Sequence, residues 1–165
     1  MRIFLIRHGD ADAEIPEALT DEARALNSKA RQVLHGHFSA LASRMVPLDL
    51  ILTSPLVRAV QTAQILSLAQ KHEGLLRAHR SLLPETPVGA LDSVLSAHAD
   101  QTLALVGHQP SMGAMAAHLL GLKNFPKPVM PGTVIGLAKE DHSDEAAPAT
   151  LLFYAAPGQE VIEEV

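Results

Sequence analysis

Three apolar runs in this chain each stop at a cluster of polar or basic residues, and amphipathic stretches of helical period lie between them. The first run, Ile3-Phe4-Leu5-Ile6, ends at Arg7-His8-Gly9. The second ends at Leu52-Thr53-Ser54-Pro55, with Arg58 one turn further on. The third ends at Leu105-Val106-Gly107-His108-Gln109-Pro110. A short continuous apolar run bounded in this way reads as a strand buried on both faces. Strands alternating with helices need crossover connections, and these build a mainly parallel sheet. Open sheets of that kind place their sites at the carboxyl ends of the strands. The three junctions are therefore expected to bring their polar side chains to one edge.

The remaining elements follow from the same patterns. Strand-like runs cover 2–7, 48–53, 102–106, 133–138 and 150–155. A helix is expected over 20–44, opened by Thr20 with Asp21 and Glu22 at its positive end, and with Leu26, Ala30, Val33, Leu34 and Leu41 on one face. A second runs over 56–72 behind Pro55, with Val57, Val60, Ile65 and Leu68 on one face. A third runs from Pro110 to Gly121, a glycine suited to a C-cap. Residues 75–101 hold one strand-like piece and one short helix. No helix separates the last two strands, so they are expected to pair as an antiparallel hairpin across the polar 139–148 connection. Pro126, Pro128, Pro131 and Gly132 make 123–132 a loop. The expected fold is an α/β three-layer sandwich: a mainly parallel sheet, helices on both faces and a C-terminal antiparallel hairpin. One domain is expected over 1–165, with 157–165, carrying Glu160, Glu163 and Glu164, as a loose solvated tail.

Composition narrows the function classes. The formal net charge of −5 argues against non-specific nucleic-acid binding. There is no cysteine, hence no disulfide framework, thiolate metal site or cysteine nucleophile. No apolar run reaches membrane-spanning length and no signal-like leader precedes the first strand, so a soluble, cytoplasmic protein is expected. His35 and His37 lie two apart on a helix and cannot face a common metal. His72, His79, His98, His118 and His142 read as surface or hydrogen-bonded structural residues, and Met112, Met115 and Leu119 as core.

The three junctions together offer two arginines, two histidines, a serine hydroxyl and the amides of helix N-termini. That set suits a phosphoryl group with charge on three oxygens. It suits a metal poorly, because Arg7 beside His8 repels a cation; no metal and no cofactor is expected.

Arg7-His8-Gly9, the stretch Thr53-Ser54-Pro55-Leu56-Val57-Arg58-Ala59-Val60-Gln61-Thr62-Ala63, and Val106-Gly107-His108 resemble the motifs of the histidine phosphatase superfamily, which includes the phosphoglycerate mutases. The small size, Leu19-Thr20 at the first helix and Leu83-Pro84-Glu85 before the third motif resemble its SixA-type phosphohistidine phosphatases. The resemblance implies that His8 attacks phosphorus and carries the phosphoryl group. It implies that Arg7, Arg58 and His108 bind its oxygens, with Ser54, Gly9 and Gln109 as further phosphate-binding candidates. Glu85 matches the stretch that supplies a general acid, with Asp10 and Asp12 as rivals. The chemistry agrees: a neutral imidazole nitrogen is nucleophilic near pH 7, and its partner nitrogen should donate to a carbonyl, for which Gly9 is the candidate.

The chain has little with which to cap a pocket, since 10–19 is short. An open site suits phosphohistidine on a protein, such as a histidine phosphotransfer domain. The alternatives are a phosphomonoesterase for small sugar or nucleotide phosphates, and a catalytically silent phosphate-binding adaptor.

Overall fold

The computed structural model describes residues 1–45, 47–140 and 147–165. Its strands are β1 (Arg2–Arg7), β2 (Leu50–Thr53), β3 (Leu75–Ala78), β4 (Thr102–Gly107), β5 (Val134–Ala138) and β6 (Thr150–Ala155). They form one sheet in the order β3-β2-β4-β1-β5-β6. The pairs β2–β3, β2–β4 and β1–β4 are parallel, whereas β5 is antiparallel to both β1 and β6. The mainly parallel sheet and the C-terminal hairpin are thus both present. The middle of the hairpin connection, including His142, lies outside the described residues.

β1 lies between β4 and β5, with Ile3, Phe4, Leu5 and Ile6 all fully buried. Successive side chains of a strand face opposite sides, so β1 feeds two cores. Ile3 and Leu5 pack with Leu103, Leu105 and the helices α3 (Asp92–Ala97) and α4 (Ser111–Leu120). Phe4 and Ile6 pack with Val106 and the helices α1 (Ser28–Ala40) and α2 (Val57–Ala69). This gives the three layers. Gly121 ends α4 at φ 70°, donating back to the Ala117 and His118 carbonyls, as its C-cap role requires.

Three expectations need correction. The first helix opens at Asn27, whose side chain accepts from the Ala30 amide at 2.7 Å. Thr20 makes no side-chain cap and leads only into a 3-10 turn at 21–23. Physically, 13–22 has no apolar stripe to bury, whereas Leu26, Ala30, Leu34 and Phe38 fill the core below Asn27; Val33 points outward.

In α2 the buried face is Arg58, Ala59, Thr62, Ala63 and Leu66, while Val57 and Leu68 are exposed. Small residues let the helix approach the sheet and α1 closely, and that closeness outweighs burying the larger side chains. It also turns Arg58 inward. Finally, 157–165 does not trail free. Tyr154 and Ile162 exchange backbone hydrogen bonds of 2.7 and 2.9 Å, and Arg44 pairs with Glu163 at 2.9 Å.

Candidate active site

A cleft of about 220 Å³ opens at the carboxyl edge of β1 and β4. It is lined by Arg7, His8, Gly9, Asp10 and Ala11 after β1, by Arg58 of α2, and by His108 and Gln109 after β4. Pro84, Pro131 and Arg24 complete the lining. Because β4 sits between β1 and β2, the three polar junctions are neighbours, which is why they converge.

His8 is held by its own backbone. Its Nδ1 donates to the Gly9 carbonyl at 2.7 Å, since a carbonyl can only accept. The neutral ring therefore keeps its lone pair on Nε2. Burial pushes the His8 imidazole down to about 4; the Gly9 hydrogen bond works against this, and the charges of Arg58, Arg7 and Arg24 reinforce it. His108 lies beside it, ring centroids 4.9 Å apart at 62°. Burial, then His8 and the arginines, push His108 down to about 3. Both rings are neutral near pH 7.

The sign for stability follows from those values. An unfolded histidine titrates near 6.5. Between about 6.5 and 4 the unfolded chain takes up protons that the folded one refuses, so acid favours unfolding in that window. The stabilisation is complete above pH 6.5 and is lost as pH falls towards 4. Thermal denaturation should show the melting temperature falling between pH 7 and pH 5. His8→Gln combined with His108→Gln should flatten that slope, and an unchanged slope would count against buried neutral histidines.

The arginines are braced from outside the cleft. Arg7 donates through Nη1 to the Val129 carbonyl at 2.9 Å, and burial lowers the pKa of its guanidinium. Arg58 donates through Nη1 to the Asp21 carbonyl at 3.1 Å and pairs through Nη2 with the Asp21 carboxylate at 3.3 Å. The buried Nε of Arg7 and that of Arg58 have no partner among the described residues. Arg24 pairs with Asp21 at 2.7 Å, and that bond, aided by Arg58, holds the exposed Asp21 carboxyl below its usual range.

Gly9 has a packing reason: a Cβ there would lie 2.5 Å from Leu34 Cδ1. Its N–H donates to Thr62 Oγ1 at 3.0 Å, and that hydroxyl donates to the Arg58 carbonyl at 2.8 Å. The Gly9 amide, expected to bind phosphate, is therefore already engaged. Ser54 is also displaced from that role. It is fully buried and does not line the cleft, and its Oγ lies 2.8 Å from His108 Nε2. Gln109 lines the cleft, but its Oε1 accepts from the Gly113 amide at 2.8 Å. With Met112 donating to the His108 carbonyl, two amides of the first turn of α4 are satisfied internally. An anion entering this cleft would therefore meet mainly guanidinium groups.

Glu85 is exposed, at φ 63°, and is not among the lining residues, although Pro84 is. Asp12 is also absent from the lining, whereas Asp10 belongs to it. Sequence reasoning missed Arg24, Asp21 and Thr62. Arg24 reaches the cleft because Ala11 and Leu26 form a bridge, closed by hydrogen bonds from Asp12 N to Ala25 O and from Asn27 N to Asp10 O. That loop closure is tertiary and has no spacing signal. Thr62 did stand within the quoted second motif, and a hydroxyl in the buried face of a helix was the available clue.

Fold and site together define an α/β protein with a basic cleft, in which two neutral imidazoles stand among three guanidinium groups. The family model for the histidine phosphatase superfamily (branch 1) matches residues 3–81. An uncharacterised protein of Picosynechococcus sp. is 36% identical over 125 residues, covering 70% of this chain and 71% of that protein. The chain belongs to the histidine phosphatase superfamily.

Its fold is shared with solved structures of low identity. The protein histidine phosphatase SixA complexed with tungstate superposes with a TM-score of 0.80 at 20% identity, covering 99% of this chain and 97% of that one. A candidate phosphohistidine phosphatase SixA from Agrobacterium tumefaciens gives 0.80 at 24%, covering 94% and 97%. A mycobacterial glucosyl-3-phosphoglycerate phosphatase gives 0.66 at 18%, covering 91% and 96%.

Proposed function

We propose that this protein is a phosphatase that works through a phosphohistidine on His8 and acts on phosphohistidine carried by another protein. The observation that carries the reading is the His8 ring, its Nδ1 proton committed to Gly9 and its Nε2 lone pair free beside Arg7, Arg58 and Arg24. In the first step Nε2 attacks phosphorus, the bond from phosphorus to the leaving group breaks, and the leaving group takes up a proton. The guanidinium groups neutralise the three phosphoryl oxygens as charge redistributes. In the second step water attacks phosphorus, the N–P bond breaks, and inorganic phosphate leaves with His8 restored.

The openness of the cleft supports a protein-borne substrate. Around the mouth, residues 12–22 are exposed, and no inserted element covers it among the described residues. Proton donation to the leaving group falls to Asp10, the carboxylate that lines the cleft. Glu85 keeps the role of a solvated loop residue.

A parallel hydrolysis panel under single-turnover conditions tests both points. A phosphohistidine protein should be cleaved faster than sugar phosphates, a phosphoserine peptide or an aryl phosphate. Asp10→Asn should slow alkyl esters by about a hundredfold, because an alkoxide leaves badly unless protonated. Phosphohistidine, leaving as a weakly basic imidazole, should lose much less. Glu85→Gln should leave every rate within about twofold, as expected of an exposed residue that lines no cleft. A sugar phosphate heading the panel would move the function to small-molecule ester hydrolysis. A selective loss of ester hydrolysis in Glu85→Gln would return the acid role to Glu85.

A further inference from the structure

We infer that Ser54 is a positioning residue that fixes which nitrogen of His108 carries the proton, so that His108 presents an N–H to the bound phosphoryl group. The inference rests on reading the cleft as a phosphoryl site. Ser54 sits directly behind His108, fully buried, with Oγ 2.8 Å from Nε2. One lone pair of that hydroxyl already accepts from the Leu56 amide at 3.3 Å. The hydroxyl proton then needs an acceptor, and His108 Nε2 is the one found among the described residues. If Nε2 carried the ring proton instead, the buried hydroxyl hydrogen would have no partner, an arrangement that folded proteins avoid. Ser54 therefore donates to Nε2, and the neutral ring holds its proton on Nδ1.

The two histidines then play complementary parts through the same tautomer. His8, anchored through Nδ1 on the Gly9 carbonyl, offers a lone pair from Nε2. His108, anchored through Nε2 on Ser54, has Nδ1–H left for an oxygen of the group under attack. A donor there is useful in either step, because negative charge stays on the equatorial oxygens throughout. With the opposite tautomer His108 would turn a lone pair towards an anion and repel it. Ser54 belongs to the second junction and His108 to the third, so the contact also ties the α2 entry to the β4 exit.

The test is spectroscopic. Long-range proton–nitrogen correlation spectra of the ¹⁵N-labelled protein at pH 7 report the tautomer of each neutral imidazole, with the His108 signals assigned by their loss in His108→Gln. The wild type should show His108 protonated on Nδ1. Ser54→Ala should lose that fixed pattern, and its affinity for tungstate, used as the phosphate mimic, should fall about tenfold, in line with loss of one aimed donor. Ser54→Thr, which keeps the hydroxyl, should restore both.

A wild-type His108 protonated on Nε2 would overturn the inference. So would an unchanged Nδ1 pattern in Ser54→Ala. Should Ser54→Ala fail to fold, the wild-type spectrum alone decides. The Nδ1 pattern in a protein that hydrolyses no phosphate would uphold Ser54 and remove the phosphatase reading, so the two can fail separately.

Discussion

Replacing His8 by alanine is expected to abolish turnover and covalent labelling together. Among the side chains that line the cleft, His8 is the one that offers an uncommitted imidazole nitrogen. His108 is anchored through Nε2 on Ser54, the guanidinium groups and the Gln109 amide have no nitrogen lone pair to offer, and Asp10 is assigned above to proton donation. Losing the nucleophile should therefore cost at least about 10⁴-fold in kcat, with any residual rate coming from arginines that still bind phosphate. Rapid quench during turnover should trap a phosphate on the wild type that is labile in acid and stable in base. Peptide mapping should place it on His8. His8→Ala should carry none while still binding tungstate, since Arg7, Arg24 and Arg58 remain. Label recovered on serine or aspartate in the wild type would end the assignment.

The second large effect is expected at Arg58. It is the most deeply buried cation of the cleft, and the inward face of α2 places it there. Its Nη groups lean on Asp21, so the guanidinium is held in place before any ligand arrives. A preorganised charge costs little reorganisation when the phosphoryl group transfers. Arg58→Ala should lower kcat/KM by about a thousandfold or more, as an aimed arginine does in other phosphoryl transfers. Arg58→Lys should recover only part of this, because an ammonium cannot match the planar fork. Asp21→Asn is the control. It removes the carboxylate and keeps the carbonyl contact, so its loss should be far smaller. Equal losses in Arg58→Ala and Asp21→Asn would mean that the pair acts as a structural brace and not as a phosphate clamp.

The parts of this molecule that could be read from its sequence are those written in large apolar side chains. Ile3 to Ile6 and Leu103 to Val106 are buried without a break, so their ends, and with them His8 and His108, could be located on the sheet edge. The inward face of α2 was illegible because alanine and threonine carry little hydrophobic signal, while Val57 and Leu68 point to solvent. The start of α1 was misplaced because Thr20-Asp21-Glu22 is a good helix opening on local grounds; burial of Leu26 and Ala30 instead sets the start behind Asn27. Arg24 was hidden because its place depends on the Ala11–Leu26 bridge, a contact across a loop and not a pattern along the chain. Ser54 was recognised as part of the constellation but assigned the wrong partner. Sequence spacing can bring a hydroxyl to a site, yet it cannot say that a neighbouring ring stands in front of it.

The central position of β1 has a further consequence for how the molecule opens. Free energies of local opening run from nearly zero for exposed loops up to the whole stability for central strands. His8 hangs from the end of the strand that enters both cores, so its backbone should come free only when the whole domain does. Asp21, by contrast, belongs to an exposed loop closed by one bridge at its base. By that gradient the loop, and its brace on Arg58 with it, should open before His8 loses its anchor on Gly9. His8 and the rim of the cleft are thus expected to open on separate energy scales. On the proposed reading, a protein-borne phosphate would be able to displace the rim without disturbing the position of His8.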